Sequence, residues 1–223
     1  MQFNHYSMMA DLFAYPNSSF LEKVQQSAIF LKKSHPSAAD EVDLFYEGLP
    51  KGNPDQLQEI FTRTFDIQAI TTLDVGYVLF GDDYKRGQIL SNLNREHKNA
   101  NNDCGLELAD HLPNLLRLIP KLDDIELIQD LVSEILAPAL QIMVHEFDPG
   151  RWVKKNKLYQ KKYKTLIEMS VNHSDVYYHA LKALLLVLKQ DFQINEEIVP
   201  SHLKNDFINA LSAETRAGML EKK

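Results

Sequence analysis

The stretch NPDQLQEIFTRTF, residues 53–65, decides the fold class. Asn53 is a residue type that caps helix N termini, and Pro54 follows at the first helical position, where its missing N–H costs little. The residues of one helix face then recur at three- and four-residue spacing, at Leu57, Ile60, Phe61, Thr64 and Phe65. This spacing predicts an amphipathic helix with one buried face.

The same helical spacing continues along most of the chain, without a convincing alternating strand pattern. A capping box is predicted at Ser19 and Glu22, ahead of another helix. Pro138 interrupts a long apolar stripe and should kink or split its helix. A final core helix, capped by Ser174 or Asp175, should bury Tyr177, Leu181, Leu184, Leu185 and Leu188. The chain is therefore predicted to be all-α, a single-domain helical bundle.

The predicted domain spans residues 1–190, and residues 191–223 form a polar extension that is partly helical or frayed. An asparagine-rich loop within residues 97–106 is a possible hinge between two helical halves. Because hinge loops permit exchange of identical halves, a monomer or a domain-swapped dimer is compatible with this pattern.

Charge is distributed unevenly over the 223 residues, whose net charge is −7. Residues 151–164, RWVKKNKLYQKKYK, hold seven basic and no acidic residues, so the rest of the chain carries −14. The basic stretch contains aromatic residues and is compatible with nucleic-acid binding. We favour a solvated helix face with inward aromatics, because the surrounding acidity repels polyanions and attracts basic peptide segments. No nucleic-acid partner is predicted.

Composition and motifs point to a cytoplasmic protein without a catalytic centre. The single cysteine, Cys104, fits a reducing compartment. The N terminus lacks the features of a signal peptide, and no apolar stretch approaches the ~18 residues of a membrane span. The eight histidines lack metal-ligand spacing, and no phosphate-binding loop is present. Neither an enzyme activity nor a metal or other cofactor is predicted.

Residues 81–90, GDDYKRGQIL, are dense in charge and contain a glycine where a helix should be under way. Gly81 is predicted to end one helix and Asp82 to cap the next. Asp82 and Arg86 are spaced for a surface ion pair. Gly87, inside the second helix, costs about 1 kcal/mol relative to alanine. It is either a chance weak point or a position where another backbone approaches closely.

The Gly81-Asp82-x-x-x-Arg86-Gly87 motif is followed by Asp110-His111-Leu112-Pro113. The pair, in this order, resembles the central region of the TorD/DmsD/NarJ chaperones, and the NarJ branch most. The resemblance covers residues 57–122. Further matching features are an aromatic pair at Phe61 and Phe65 and a leucine at Leu73. The family matures molybdenum-cofactor oxidoreductases of the dimethyl sulfoxide reductase type.

This resemblance implies an all-helical cytoplasmic chaperone without enzyme activity. Such a protein binds the N-terminal or twin-arginine segment of an apo catalytic subunit and holds it until the molybdopterin cofactor is inserted. Nitrate reductase assembly is one candidate role among related clients, because LDVGYVLFGDDYK lacks the histidines that usually precede the GD pair. Two other classes stay open, a stable helical adaptor or subunit and a nucleotide hydrolase.

A twin-arginine segment joins adjacent arginines to an apolar stretch, and its complement is an apolar groove with an acidic rim. The predicted client contacts are Phe61, Phe65, Leu73, Asp74, Tyr77, Asp82 and Asp83. The predicted structural positions are Gly81, Arg86, Gly87, Asp110, His111, Leu112 and Pro113. Arg86 should orient Asp82 or a neighbouring helix, and Asp110 should cap the helix that follows it.

Overall fold

The computed structural model describes residues 3–67, 69–149 and 175–194. Within these ranges the chain is mostly helical, and its one β-type pairing is an isolated antiparallel bridge between Asp74 and His111. The all-α prediction is confirmed. The basic stretch 151–164 and nearly all of the predicted C-terminal extension lie outside the described residues.

Ten α-helices are described. They are α1 (His5–Ala10), α2 (Phe20–Leu31), α3 (Pro36–Gly48), α4 (Pro54–Phe65), α5 (Val75–Phe80), α6 (Tyr84–Asn99), α7 (Leu112–Leu118), α8 (Ile125–Asp130), α9 (Ala137–His145) and α10 (Val176–Asp191). Short 3₁₀ turns follow α1 at Asp11–Phe13 and α7 at Ile119–Lys121.

Helix α4 forms as its sequence predicts. The Asn53 side chain accepts a hydrogen bond from the backbone N–H of Asp55 at 2.9 Å, and Pro54 occupies the first turn. All five residues of the predicted stripe are buried. Local capping and the apolar spacing together therefore account for this helix.

Three other caps differ from their predictions. Ser19 precedes α2 but bonds to Asn17 instead of forming the capping box. Asp83, and not Asp82, caps α6 by accepting from the N–H of Lys85 at 2.9 Å. Asp110 does not cap α7, because His111 is the residue at the N-cap position. By contrast, Gly81 ends α5 with a φ of 59°, as predicted.

Pro138 shapes the long helical segment from Ile125 to His145. A π-helical turn at Leu131–Leu136 precedes it, and the N–H of Ala137 donates to the carbonyl of Val132. A wide turn accommodates a proline that cannot donate its own hydrogen bond, so the helical segment continues through Pro138 without splitting. Contrary to the sequence expectation, the segment is long and apolar enough to cross a membrane. However, 56% of its most apolar window is buried within the fold, as in core helices of soluble proteins.

The core forms where α10 packs against α3 and α9, with α2 covering α3 and α1 lying against α7. Tyr177 at the start of α10 is 1% exposed and contacts an aromatic cluster of Phe45, Phe61 and Phe65. The predicted apolar face of the last helix is confirmed, since all five of its residues are buried.

Buried amides fix the segment that the sequence suggested as a hinge. Residues 97–99 belong to α6, and the Asn102 side chain donates to His97 Nδ1 at 2.9 Å and to the Asn114 carbonyl at 3.1 Å. The Asn114 side chain donates in turn to the carbonyls of Cys104 and Leu108. These bonds hold the connection between α6 and α7 in its described conformation, and the possible hinge stays a prediction.

Candidate functional site

Arg86 joins the two motifs that carry the family resemblance. Its Nε–H donates to Asp110 Oδ2 at 2.9 Å, and its terminal nitrogen donates to Asp74 Oδ2 at 2.9 Å. The Asp110 side chain is 1% exposed and the Arg86 side chain 14%. Although burial opposes the charged guanidinium, the bonds to both carboxylates raise the pKa of Arg86. Of the two roles expected of Arg86, the pairing with Asp82 is not formed. Arg86 instead contacts Asp110 and Asp74, next to the starts of neighbouring helices.

A short backbone pairing places Asp110 next to α5. The N–H of Val75 donates to the Asp110 carbonyl at 3.0 Å, and the N–H of Leu112 donates to the Leu73 carbonyl at 2.8 Å. Asp74 stands at the N-cap of α5, but its carboxylate bonds to Arg86 and caps nothing. The start of α5 and the approach to α7 are consequently held together by both backbone and charge.

Gly76, and not Gly87, provides the close approach that the sequence suggested. A Cβ at Gly76 would lie 2.6 Å from Asp110 Oδ2 and 3.3 Å from Arg86 Cγ. A Cβ at Gly87 would meet nothing within 4 Å, and Gly87 is exposed. The close-packing role predicted for Gly87 is wrong. Gly76 leaves the space in which the buried ion pair forms.

Carboxylates surround His111 beside this ion pair. Burial lowers the pKa of His111, while Glu107, Asp74, Asp110 and Asp66 act in the opposite direction. Burial and the charge of Glu107 raise the pKa of Asp66. Asp66 and Glu107 are both exposed. Two acidic side chains from different parts of the chain therefore share one surface with His111.

Exposed apolar residues follow these acids in the chain or lie beside Arg86. Ile67 follows Asp66 and is 54% exposed, and Leu108 follows Glu107 and is 48% exposed. Tyr77 is 43% exposed, with the Arg86 guanidinium carbon 5.3 Å from its ring centroid. We call this patch the His111 surface, and its members are Asp66, Ile67, Asp74, Tyr77, Glu107, Leu108 and His111.

The predicted client contacts divide into two groups. Phe61, Phe65 and Leu73 are 6%, 4% and 3% exposed, so they belong to the core and do not line an open groove. Large apolar residues on a helical stripe are mostly core, and that property outweighed the family-based expectation here. Tyr77, Asp82 and Asp83 are exposed, and Asp74 is half-buried. Leu112 and Pro113 are buried in the first turn of α7.

A second polar cluster, which the sequence did not suggest, joins α1 to the end of α10. Asp191 Oδ2 lies 2.7 Å from His5 Nε2 and 2.8 Å from the Tyr6 hydroxyl, and Asp191 Oδ1 lies 2.8 Å from His35 Nε2. Burial raises the pKa of Asp191, but hydrogen bonds from His5, His35 and Tyr6 outweigh it and lower the pKa to about 2.

One ligand atom from each of His5, His35 and Asp191 lies within 4.8 Å of the others, close enough for a shared metal ion. Asp191 lies 156 positions from His35 and 186 positions from His5 in the sequence, so no local spacing motif could reveal the cluster. Only the tertiary fold brings them together.

Comparisons with protein-family models, with curated proteins and with solved structures found no match for this chain.

Proposed function

We propose that this chain is a cytoplasmic maturation chaperone that binds the N-terminal segment of the apo catalytic subunit of a molybdopterin oxidoreductase. The resemblance to the TorD/DmsD/NarJ family suggests the role. One structural observation supports it. The two motifs of the resemblance meet at the Arg86–Asp110 ion pair, beside a surface that combines exposed carboxylates with exposed apolar side chains.

The His111 surface suits a segment in which adjacent arginines precede an apolar stretch. Asp66 and Glu107 are exposed acids and would bind arginine side chains. Tyr77, Ile67 and Leu108 would cover the apolar stretch. Arg86 does not repel such a segment strongly, because Asp110 and Asp74 neutralise it within the protein. This division revises the contact set expected from the sequence, in which buried phenylalanines formed the groove.

In this proposal the chain acts by binding the N-terminal segment of its client, and it catalyses no reaction. Binding the N-terminal segment withholds the apo subunit from export or docking until the cofactor is inserted. Binding must therefore be reversible, and a mixed polar and apolar surface of modest size is typical of transient recognition.

Titration calorimetry with two synthetic peptides tests the proposal. One carries adjacent arginines followed by an apolar stretch, and the other has both arginines changed to alanine. We expect the first peptide to bind more tightly at low salt and the difference to shrink as salt rises, because exposed charges are screened. If neither peptide binds, or if both bind equally at low salt, the proposed peptide site is wrong.

A stable adaptor or subunit is the second candidate, and one observation favours it. Ile29, Phe30 and Leu44 on α2 and α3 are 70%, 48% and 45% exposed, an apolar exposure that suits a lasting interface. Co-purification separates the two roles. A chaperone is recovered with the apo catalytic subunit and leaves the mature enzyme, whereas a subunit stays with the mature enzyme.

A further inference from the structure

We propose that His5, His35 and Asp191 form a site for a divalent transition-metal ion, with zinc as the fitting class. The three side chains converge from α1, from the residue before α3 and from the end of α10. Two imidazole nitrogens and one carboxylate oxygen are ligands that Zn²⁺ accepts, and a water molecule would complete a tetrahedral site.

The burial of the cluster suits a bound ion with a path to solvent. The side chains of His5 and His35 are 11% and 6% exposed, and that of Asp191 is 17% exposed. The histidine rings are therefore fixed by their surroundings, while the carboxylate leaves a way in for an ion and its water. Phe3 lies at the edge of the His5 ring, which shields that side of the cluster.

The protonation states of His5 and His35 in the metal-free cluster follow from their shared acceptor, the carboxylate of Asp191. An ionised Asp191 only accepts, so the Nε2 atoms of both His5 and His35 carry protons there. In a neutral His35 ring, Nδ1 then accepts from the Ser34 hydroxyl, which lies 2.9 Å away. Both oxygens of Asp191 and both ring nitrogens of His35 thus have hydrogen-bond partners without an ion.

Metal binding requires each Nε2 to release its proton and the neutral ring to carry a proton on Nδ1. Ser34 Oγ accommodates this change at His35, because a hydroxyl can either donate to Nδ1 or accept from it. A hydrogen bond of this kind orients most metal-bound histidines and strengthens the ligand. Tetrahedral bonds of about 2.0–2.1 Å place neighbouring ligand atoms about 3.3 Å apart. Binding through one carboxylate oxygen would therefore widen the N···O distance of the histidine now bonded to that oxygen by about half an ångström. The other histidine, which bonds to the second oxygen, would move towards the ion from a ligand-atom separation of at most 4.8 Å.

Tyr6 is not one of the proposed ligands. Its hydroxyl donates to Asp191 Oδ2 at 2.8 Å, a bond that an ionised carboxylate accepts. Tyr6 therefore holds the carboxylate in the metal-free cluster, whereas the two histidines would supply nitrogen ligands to the ion. This difference between Tyr6 and the two histidines separates metal binding from a purely structural role.

Zinc titration of the full chain, freed of metal by a chelator, tests the site by calorimetry and by thermal unfolding. We expect one zinc ion per chain and a melting temperature that rises with zinc concentration, because the ion binds the folded state preferentially. His5→Gln and His35→Gln keep an amide that can donate to Asp191 but lose the imidazole nitrogen. Each should weaken binding by tenfold or more, and Ser34→Ala should weaken it by about 10–100-fold.

Two variants serve as controls. His145→Ala removes an exposed histidine outside the cluster and should leave zinc affinity unchanged. Tyr6→Phe should lower stability without zinc, through the lost hydrogen bond, yet still bind one zinc ion per chain, because Tyr6 supplies no ligand. If the wild-type chain binds no zinc, or if either glutamine variant binds it as tightly as the wild type, the proposal is overturned. The cluster then has only a structural role, in which its hydrogen bonds join α1 to the end of α10.

Discussion

The Nε–H of Arg86 donates to Asp110 Oδ2 over 2.9 Å and so links the first turn of α6 to the segment before α7, 24 residues further on. One of the two terminal nitrogens, Nη2, donates to Asp74 at the start of α5. One arginine therefore holds three helix starts in fixed relation, and the His111 surface lies over that junction. The arrangement accounts for both motifs as structural supports of the surface beside them.

Replacing Asp110 with alanine should destabilise the protein by about 3 kcal/mol, more than the ~1 kcal/mol expected of a lost cap, because Arg86 loses its buried partner. Urea unfolding of the variant and the wild type measures the difference. Asp82→Ala, an exposed acid of the same motif region, is the control and should change stability by less than about 0.5 kcal/mol. Equal effects of the two substitutions would contradict the assignment.

The two glycines near this junction should respond to alanine in opposite directions. Gly76→Ala should destabilise by about 1–3 kcal/mol, because the new methyl group would displace Asp110 or Arg86. Gly87→Ala should stabilise by about 0.5–1 kcal/mol, since the position is open and helical. Chemical denaturation of both variants provides the measurement. A neutral Gly76→Ala would show that the junction tolerates the added volume.

The free energy of unfolding should decrease as the pH falls below 6.5, the ordinary pKa of histidine, because burial holds His97 neutral. Burial lowers the pKa of His97, whose Nε2–H donates to the Ala109 carbonyl while Nδ1 accepts from Asn102. Between the lowered folded pKa and 6.5, the unfolded chain binds a proton that folded His97 does not, so the free energy of unfolding decreases as the pH falls through this window. Above 6.5 the contribution is constant.

Denaturation at several pH values tests this dependence in the wild type and in His97→Gln. The pKa of His111 is also lowered, so the wild-type curve holds more than one contribution. The glutamine variant should lose only the His97 part and show a shallower fall. His145→Gln, at an exposed site, should follow the wild-type curve. A His97→Gln curve parallel to that of the wild type would assign the pH dependence elsewhere.

The acids of the His111 surface should select arginine in a client peptide. Asp66→Asn combined with Glu107→Gln should weaken binding of the twin-arginine peptide at low salt. The effect should shrink near 1 M salt, where the Debye length is about 3 Å. Asp40→Asn combined with Glu47→Gln removes the same charge from exposed sites on α3, which packs against α2 and α10, and serves as the control. Equal losses in both double variants would indicate a general charge effect.

Tyr77 should contribute to peptide affinity at every salt concentration, because its contribution is apolar. Tyr77→Ala should weaken binding by about tenfold, which corresponds to about 1.4 kcal/mol. Tyr77→Phe should bind like the wild type. Tyr84, in the neighbouring helix and 78% exposed, lies outside the defined surface, and Tyr84→Ala should have little effect. Calorimetry at two salt concentrations distinguishes these outcomes, and a loss confined to low salt would contradict the apolar role.

Local features of the sequence were sufficient to predict several of the helices, α4 and α5 among them. The Asn53 cap, the Pro54 start and the stripe of α4 depend on neighbours within a few residues, and Gly81 ends α5 for the same reason. Arg86 shows where this reasoning stops. Its nearest acid at helical spacing is Asp82, but its partners come from Asp74 and from the distant Asp110. Long-range contacts of this kind depend on how helices pack.

The same dependence on long-range packing explains why the roles of Phe61, Phe65 and Gly76 differ from what their sequence neighbourhoods suggest. The family resemblance predicts a groove at Phe61 and Phe65, yet Tyr177 from the last described helix packs on both rings. Gly76 lies in a short helix and reveals its role only when Asp110 approaches it. One cue was present in the sequence, since glycine within a buried helical stretch often marks a close approach.

The contact between His5 and Asp191 also constrains when the fold can close during synthesis. The two residues are 186 positions apart, and Asp191 accepts hydrogen bonds from both α1 and the residue before α3. At roughly 5–20 residues per second, the ribosome needs on the order of 10–40 seconds to make the intervening chain. Until α10 emerges, α3 lacks its main packing partner and Tyr177 is missing from the aromatic cluster. The N-terminal helices therefore stay incompletely packed, with apolar faces uncovered, until the last described helix has been synthesised and completes the core.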